Sequence, residues 1–134
     1  MRLQVIKAID SFLNSEGGLV VVGVDPDKKV IGLQNDFSCL DKNRRNWDGW
    51  QQQLVDYIDV HLGSLIFDRI KILRSEKNGL IIAIIKVKKA AKGVFIRHHD
   101  NEGKEKVEFF IRAGNTKRGL DPEEASDYCR NHWE

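Results

Sequence analysis

The chain has 134 residues, of which 41% are hydrophobic and 31% charged, and its formal net charge is +2. This composition is typical of one soluble globular domain with a core of its own. No run approaches the roughly 18 consecutive apolar residues needed to cross a bilayer, which excludes a membrane-spanning segment. The total charge by itself does not indicate a nucleic-acid partner.

The first third of the chain predicts a helix followed by a strand and a returning arm. Apolar residues at helical spacing predict an amphipathic helix over residues 3–14, which Gly17-Gly18 ends. The unbroken apolar run from Leu19 to Val24 predicts a strand that is buried on both faces. A turn follows, and we expect Val30 to Leu33 to return as the second arm of a hairpin.

The middle of the chain predicts a second helix and two strands. Residues 34–46 are polar and irregular, and apolar residues at helical spacing then predict a helix over residues 48–62. Ile66 to Leu73 and Leu80 to Val87 predict two strands, which a tight turn at Asn78-Gly79 joins. We expect the second of these strands to be central in its sheet and buried.

The last third predicts a further strand pair and a terminal helix. The two strands are Val94 to Arg97 and Lys106 to Arg112. Asp121, Pro122 and Glu124 form a capping-box pattern, which marks the start of the last helix. The whole order predicts an α+β domain over residues 1–134, with a mixed, mostly antiparallel sheet covered by helices.

Two motifs in this order resemble the Schlafen AlbA-like domain family. The first runs from Ala8 to Leu33 and contains Phe-x-Asn-x-x-Gly-Gly, an apolar strand, Gly-Val-Asp and Ile-Gly-Leu. The second is Phe110 to Thr116, which is similar to the family's aromatic-x-Arg-x-Gly-Ser/Asn-x-Thr segment, although Thr116 lies one place early. The resemblance covers nearly the whole chain and implies a Schlafen AlbA-like fold. It also implies a role in binding DNA or RNA, which is proposed for this family.

The resemblance also bears on catalysis. The family usually begins with a Glu-bearing strand before the first helix, whereas this chain starts at the helix, so we expect a fragment of a longer protein or a reduced domain. Members that cut RNA use those upstream carboxylates together with the Asp at the end of the Gly-Val-Asp strand, which is Asp25 here. One carboxylate does not make the set of oxygen ligands that a hard cation needs. We therefore expect no catalytic residue, metal or other cofactor; Asp25 is the single weak metal candidate, and the alternative for it is a turn residue.

The charge is unevenly distributed along the chain. Between Lys86 and Arg118 there are ten basic and four acidic residues, a local balance of +6. Arg at the end of a strand, followed by a turn with amide and hydroxyl groups, suits contacts to phosphates. A solvated surface that pairs with the acidic last helix is the alternative. The residues that we expect to contact nucleic acid are Lys86, Lys88, Lys89, Lys92, Arg97, Arg112, Asn115, Thr116, Lys117 and Arg118.

Three functions therefore remain open for this sequence. The first is a non-catalytic module that binds DNA or RNA through phosphate contacts. The second is a piece of a metal-dependent ribonuclease-type Schlafen domain. The third is a protein-interaction or dimerisation domain that uses the exposed edge strand or the Trp-bearing helices, with a homodimer as one of its forms. Two widely spaced cysteines and the lack of a signal-peptide pattern predict a cytoplasmic location.

Overall fold

Four helices and six strands lie within residues 3–133, the part of the chain that this computed structural model describes. Two short 3-10 turns, Lys42–Arg44 and Ser64–Arg69, connect some of them. In chain order the elements are α1 (Leu3–Leu13), β1 (Gly18–Val22), α2 (Gln34–Ser38), α3 (Trp47–Leu62), β2 (Ile70–Lys77), β3 (Leu80–Val87), β4 (Ile96–His99), β5 (Glu105–Ala113), β6 (Thr116–Leu120) and α4 (Pro122–His132).

The first sheet has the strand order β1-β3-β2 and is antiparallel throughout. β3 lies in the middle, so that Ile85 faces Val20 on one side and Ile72 on the other. The prediction of a central, buried strand here is confirmed, since Ala83 and Ile85 are fully buried. β2 and β3 are joined at Asn78 and Gly79, which both have the positive φ of a tight hairpin turn.

β1 differs from its prediction because it lies at the edge of this sheet. Its residues alternate between half-buried and exposed, and Leu19 and Val21 are 56% and 45% exposed. The prediction that this strand is buried on both faces was therefore wrong. Only the face that carries Val20 and Val22 packs towards the core.

The second sheet has the strand order β4-β5-β6 and is also antiparallel. The predicted α+β class is confirmed, but the described strands form two small antiparallel sheets in place of one mixed sheet. The chain leaves the first sheet after β3 and runs past the end of α1, where the Ala90 N–H donates to the Leu13 carbonyl at 2.9 Å. β6 was not predicted, because its sequence Thr-Lys-Arg-Gly-Leu is polar and contains glycine.

Other element boundaries also differ from the prediction. Val30 to Leu33 is not a strand arm, because only an isolated bridge joins Val30 to Val24. Ile66 to Arg69 is part of a 3-10 turn, so β2 starts at Ile70, and β4 starts at Ile96 instead of Val94. Residues 34–46 contain α2 and the first 3-10 turn.

α1 contacts strands of both sheets and carries the centre of the core. Ile6, Ile9 and Leu13 are fully buried, and they join Leu54 and Ile58 of α3 in one hydrophobic cluster. Burying an aliphatic side chain of this size stabilises a fold by about 1.5–3 kcal/mol. α1 is therefore the element that fixes the two sheets relative to each other.

The predicted capping box at the start of α4 is confirmed. The Glu124 N–H donates to Asp121 Oδ1 at 2.8 Å, and the Asp121 N–H donates to Glu124 Oε1 at 3.1 Å. α4 then docks on the segment after α1, where the Tyr128 hydroxyl donates to the Asn14 carbonyl. None of the described helices is long and apolar enough to cross a membrane.

Candidate nucleic-acid interface

The Phe-x-Asn-x-x-Gly-Gly motif forms the turn between α1 and β1. A Cβ at Gly17, which has a φ of +79°, would lie 2.6 Å from the Val87 carbonyl oxygen. A Cβ at Gly18 would overlap the Phe12 ring, with carbons of that ring at 2.3 and 2.5 Å. The two glycines therefore let the turn pass directly against β3 and the Phe12 ring.

Asn14 holds this turn to the second sheet. Its side-chain oxygen accepts from the Val94 N–H at 2.8 Å, and its amide nitrogen donates to the carbonyls of Val94 and Phe110 at 2.9 and 3.0 Å. The side chain is fully buried, so each of these bonds satisfies a group that water does not reach. The sequence showed Asn14 only as a member of the Phe-x-Asn-x-x-Gly-Gly motif, and no role was predicted for it.

Asp10 and Ser15 complete the same junction. Asp10 Oδ2 accepts from the Phe110 N–H at 3.0 Å, and Ser15 Oγ accepts from the Arg112 N–H at 2.9 Å. The β4 ladder extends along β5 only as far as Glu108, so side chains of α1 and of the turn after it take the place of a neighbouring strand beyond that point. This arrangement fixes the path of β5 up to Arg112.

Asp10 is buried at some electrostatic cost. It is 0% exposed, and its Oδ1 has no hydrogen-bond partner among the described residues. Burial raises the pKa of this carboxyl well above its ordinary value of 3.8, Glu108 adds to the rise, and the bonds from Phe110 and Asn14 oppose it. Nothing in the sequence pattern distinguished Asp10 from a surface acid.

Arg112 is placed by the ring of Phe12. Its guanidinium carbon lies 4.6 Å from the ring centroid, which is within the range of a cation–π contact. Phe12 of the first motif thus contacts Arg112 of the second motif and orients its side chain. The charged group is held at the glycine turn, where part of its surface remains accessible.

Lys117 lies directly opposite Arg112 in the β5–β6 ladder, so both side chains extend from one face of the sheet. Its ammonium donates to Gln4 Oε1 at 2.7 Å. Burial lowers the pKa of Lys117, and the positive charges of Lys7 and Arg112 lower it further. We refer to Lys7, Arg112 and Lys117 as the cationic cluster.

Lys7 was not predicted as part of the site, because it lies in α1, far from the basic segment of the sequence. Its ammonium is 5.4 Å from the Phe110 ring centroid and 3.6 Å from Glu108 Oε2. Glu108 is shared, since its other oxygen lies 3.2 Å from His98 Nε2. The ion pairs within residues 3–133 leave Arg112 and Lys117 without a carboxylate partner.

Three more of the predicted contact residues, Asn115, Thr116 and Arg118, are close to the cationic cluster in sequence but do not share its face of the sheet. Arg118 pairs with Ile111 and therefore lies on the opposite face of the sheet. Asn115 is exposed in the β5–β6 turn, and the Thr116 hydroxyl donates to the Ala113 carbonyl at 3.0 Å. These three residues follow Arg112 in sequence, but strand alternation and the turn separate their side chains from it.

The predicted lysines and Arg97 lie at several places. Two of the lysines adjoin the glycine turn, since Lys88 Cα and Lys89 N lie 3.3 Å from the position that a Cβ at Gly17 would take. Lys86 lies in the first sheet beside Lys71, and Lys88 is exposed just after that strand ends. Lys89 is 3.9 Å from Glu16, and Arg97 is 3.6 Å from Glu105. Lys92 borders a separate shallow cavity of about 230 Å³, between the second 3-10 turn and the segment before β4.

Asp25 occupies a turn. Its Oδ1 accepts from the Lys29 N–H at 2.8 Å, and its backbone N–H donates to the Lys29 carbonyl at 2.9 Å. Residues 3–133 contain no group of three or more His, Cys, Asp or Glu side chains arranged to hold a metal ion. The two bonds to Lys29 are those of a turn residue, which is the alternative stated for Asp25.

The fold and the site define an α+β domain in which the arginine at the end of β5 lies on the Phe12 ring, beside the glycine turn that follows α1. The family model described as Schlafen, AlbA_2 matches residues 1–121, and the chain belongs to that family. The resemblance of the two motifs is thereby confirmed. The match ends at the N-terminal cap of α4.

A solved structure supports the same fold. The crystal structure of the DIP2311 protein from Corynebacterium diphtheriae matches with a TM-score of 0.55 and 20% sequence identity. The match covers 95% of this chain and 21% of that chain, so this chain corresponds to about a fifth of the larger protein. No curated protein sequence matches.

Proposed function

We propose that this domain binds DNA or RNA without catalysing a reaction, and that the cationic cluster contacts the phosphate backbone. The supporting observation is that three cations converge on one face of the second sheet, where Arg112 and Lys117 have no carboxylate partner within residues 3–133. Membership of the Schlafen, AlbA_2 family favours a role related to nucleic acid.

The electrostatics of the cluster favour an anion. The pKa of Lys117 is lowered by burial and by its two cationic neighbours, so an approaching phosphate relieves an existing repulsion. Arg112 is already oriented on the Phe12 ring, so less side-chain entropy is lost when it binds. Such contacts position a nucleic acid and carry no sequence information.

Binding through phosphates depends on salt in a measurable way. Each neutralised phosphate contributes about −0.9 to the slope of log K against log salt for duplex DNA, and about −0.7 for single strands. We expect fluorescence anisotropy with labelled DNA and RNA, single-stranded and duplex, to show binding that weakens as salt is raised.

The decisive variants are Lys117→Gln and Arg118→Gln, which remove neighbouring charges on opposite faces of β6. We expect Lys117→Gln to weaken binding about 3- to 10-fold and to reduce the salt slope by about one phosphate contact. Arg118→Gln should change the affinity less than twofold. Equal losses of affinity in both variants would show that binding depends on the charge of the whole basic segment and not on the cationic cluster. The absence of any binding at low salt would refute the proposed function.

A further inference from the structure

One acidic side chain lies on the same face of the second sheet as the cationic cluster. Residues 108, 110 and 112 alternate onto one face of β5, so Glu108 shares that face with Arg112. Phe110 lies between them, and the ammonium of Lys7 lies 5.4 Å from the centroid of its ring. Lys7 therefore lies between a carboxylate on one side and the two cations Arg112 and Lys117 on the other.

The ion pair between Lys7 and Glu108 is less exposed than the other pairs of its kind in the part of the chain that the structure describes. Lys7 Nζ lies 3.6 Å from Glu108 Oε2, and the two side chains are 21% and 28% exposed. In every other pair between Lys or Arg and a carboxylate within residues 3–133, at least one side chain is more than half exposed. His98 Nε2 lies 3.2 Å from the second carboxylate oxygen, so the position of Glu108 is fixed from two sides. Because a partly buried pair is screened less than a surface pair, it competes effectively with other partners of Lys7.

We propose that Glu108 is an internal competitor for Lys7, which sets the affinity of the cationic cluster for phosphate below the value that three free cations would give. This inference rests on the proposed function. Arg112 and Lys117 have no carboxylate partner within residues 3–133 and are available to a phosphate at once. Lys7 must first give up its contact with Glu108, and that loss offsets the gain from a third phosphate contact.

The distance along β5 explains why Glu108 acts through Lys7. Glu108 and Arg112 are four residues apart, or about 13 Å between their Cα atoms. That distance exceeds the Debye length of about 8 Å at physiological ionic strength, so Glu108 has little direct effect on a phosphate bound at Arg112. Its influence on the site is therefore exerted through the cation that it contacts.

The test compares two carboxylates on opposite faces of β5. Glu108→Gln removes the charge next to Lys7 and keeps a side-chain oxygen for His98. Glu105→Gln is the matched control, because Glu105 is exposed, pairs with Arg97 and lies on the other face. With labelled single-stranded DNA and RNA as probes, we expect Glu108→Gln to tighten binding about 3- to 10-fold and to steepen the salt slope by about 0.7, which is one phosphate contact of a single strand. Glu105→Gln should change the affinity less than about twofold.

A double-mutant cycle shows whether the gain in affinity depends on Lys7. Lys7→Gln should weaken binding less than about twofold in the presence of Glu108, and about 3- to 10-fold in the Glu108→Gln background, because only there is the ammonium free. Equal losses in the two backgrounds would show that the two charges act independently and would overturn the inference. Glu108→Thr, which removes the same charge with a residue suited to a strand, should give the same gain as Glu108→Gln. Circular dichroism of each variant establishes that the fold is retained.

The outcomes separate this inference from the proposed function. A wild-type chain that binds, together with equal effects of Glu108→Gln and Glu105→Gln, overturns the inference and leaves the proposed function standing. Binding by Glu108→Gln but not by the wild type supports the inference and refutes the proposed function for the unaltered chain. If neither the wild type nor any variant binds at low salt, both are refuted.

Discussion

Asn14 and Asp10, which belong to the first motif, bond backbone groups of β5 and of the segment before β4. Asn14 bonds the Val94 N–H and two carbonyls, and Asp10 accepts the Phe110 N–H, so both replace strand partners that β4 does not supply. An Asp in this position accepts the bond but also brings a buried negative charge. The same residue therefore helps to position β5 and lowers stability at neutral pH.

We expect Asp10→Asn to stabilise the protein at neutral pH. The pKa of Asp10 is raised in the folded state, so its contribution to stability is present below the ordinary value of 3.8 and is lost as pH rises through the folded-state pKa. An amide imitates the protonated carboxyl and does not ionise. The gain in free energy of unfolding should be about 1–3 kcal/mol at pH 7 and close to zero at pH 4.

Urea denaturation of both proteins between pH 4 and pH 8 measures this difference. Asp56→Asn, which alters an exposed acid on α3, should change stability by less than about 0.5 kcal/mol across the range. Glu108, which adds to the rise in the pKa of Asp10, and its partners Lys7 and His98 are the same residues in both proteins. A gain that is equal at pH 4 and pH 8 would contradict the assignment.

At the scale of elements, the start of α4 is encoded by its own sequence, whereas its position depends on contacts with other segments. The capping box at Asp121 and Glu124 satisfies the first backbone N–H groups. Its far end is held by polar bonds, because the Tyr128 hydroxyl donates to the Asn14 carbonyl and the Trp133 indole N–H donates to the Ala90 carbonyl. Ala125 is the one buried residue of this helix, so these end contacts carry much of its docking.

We expect Asp121→Ala to reduce the free energy of unfolding by about 1 kcal/mol, within the range of 0.5–2 kcal/mol for the loss of an N-cap. Asp127→Ala is the matched control, because its carboxylate is exposed and only pairs with Arg130 at 3.6 Å. It should cost less than about 0.5 kcal/mol. Thermal unfolding of the two variants provides the comparison, and equal costs would show that the capping box does not stabilise α4.

At the scale of the whole molecule, two small sheets act as one body because α1 and its C-terminal turn contact both. The apolar side of α1 lies in the shared core, and Asn14 joins it to β5 and to the segment that precedes β4. A small sheet needs an apolar face that packs against another element to be stable in water, and α1 supplies part of that packing for both sheets. We therefore infer that the sheets unfold together.

Asn14→Ala tests this coupling. It removes three bonds to backbone groups of Val94 and Phe110 and leaves those groups buried, so we expect a loss of about 3 kcal/mol or more. Asn101→Ala, in an exposed turn, should have an effect of less than about 0.5 kcal/mol. Denaturant unfolding followed by far-UV circular dichroism and by tryptophan fluorescence should remain a single coincident transition in the wild type, and separate transitions there would contradict the coupling.

The sequence by itself determined the α+β class, the two main helices, the β2–β3 hairpin, the α4 capping box and the family. These features depend on local patterns: apolar spacing in α3, the Asn78-Gly79 turn and the Asp121 cap act over a few residues. The resemblance to the family was drawn from two such patterns in order, and the family model confirms the family. The sequence also indicated Arg112 and Lys117 as phosphate contacts, because a strand-end arginine and its neighbouring charges are visible in it, and this role stays a prediction.

Only the tertiary structure decided which residues meet. Lys7 joins the cationic cluster from α1, and Arg118 leaves it, because strand register and alternation set the face on which each side chain lies. Likewise, an unbroken apolar run such as Leu19 to Val24 is compatible with a central or an edge strand, and only the sheet order showed that β1 is an edge. Local sequence encodes backbone conformation, whereas burial, charge clustering and sheet edges depend on contacts between distant segments, such as those that Asn14 and Asp10 make with β5.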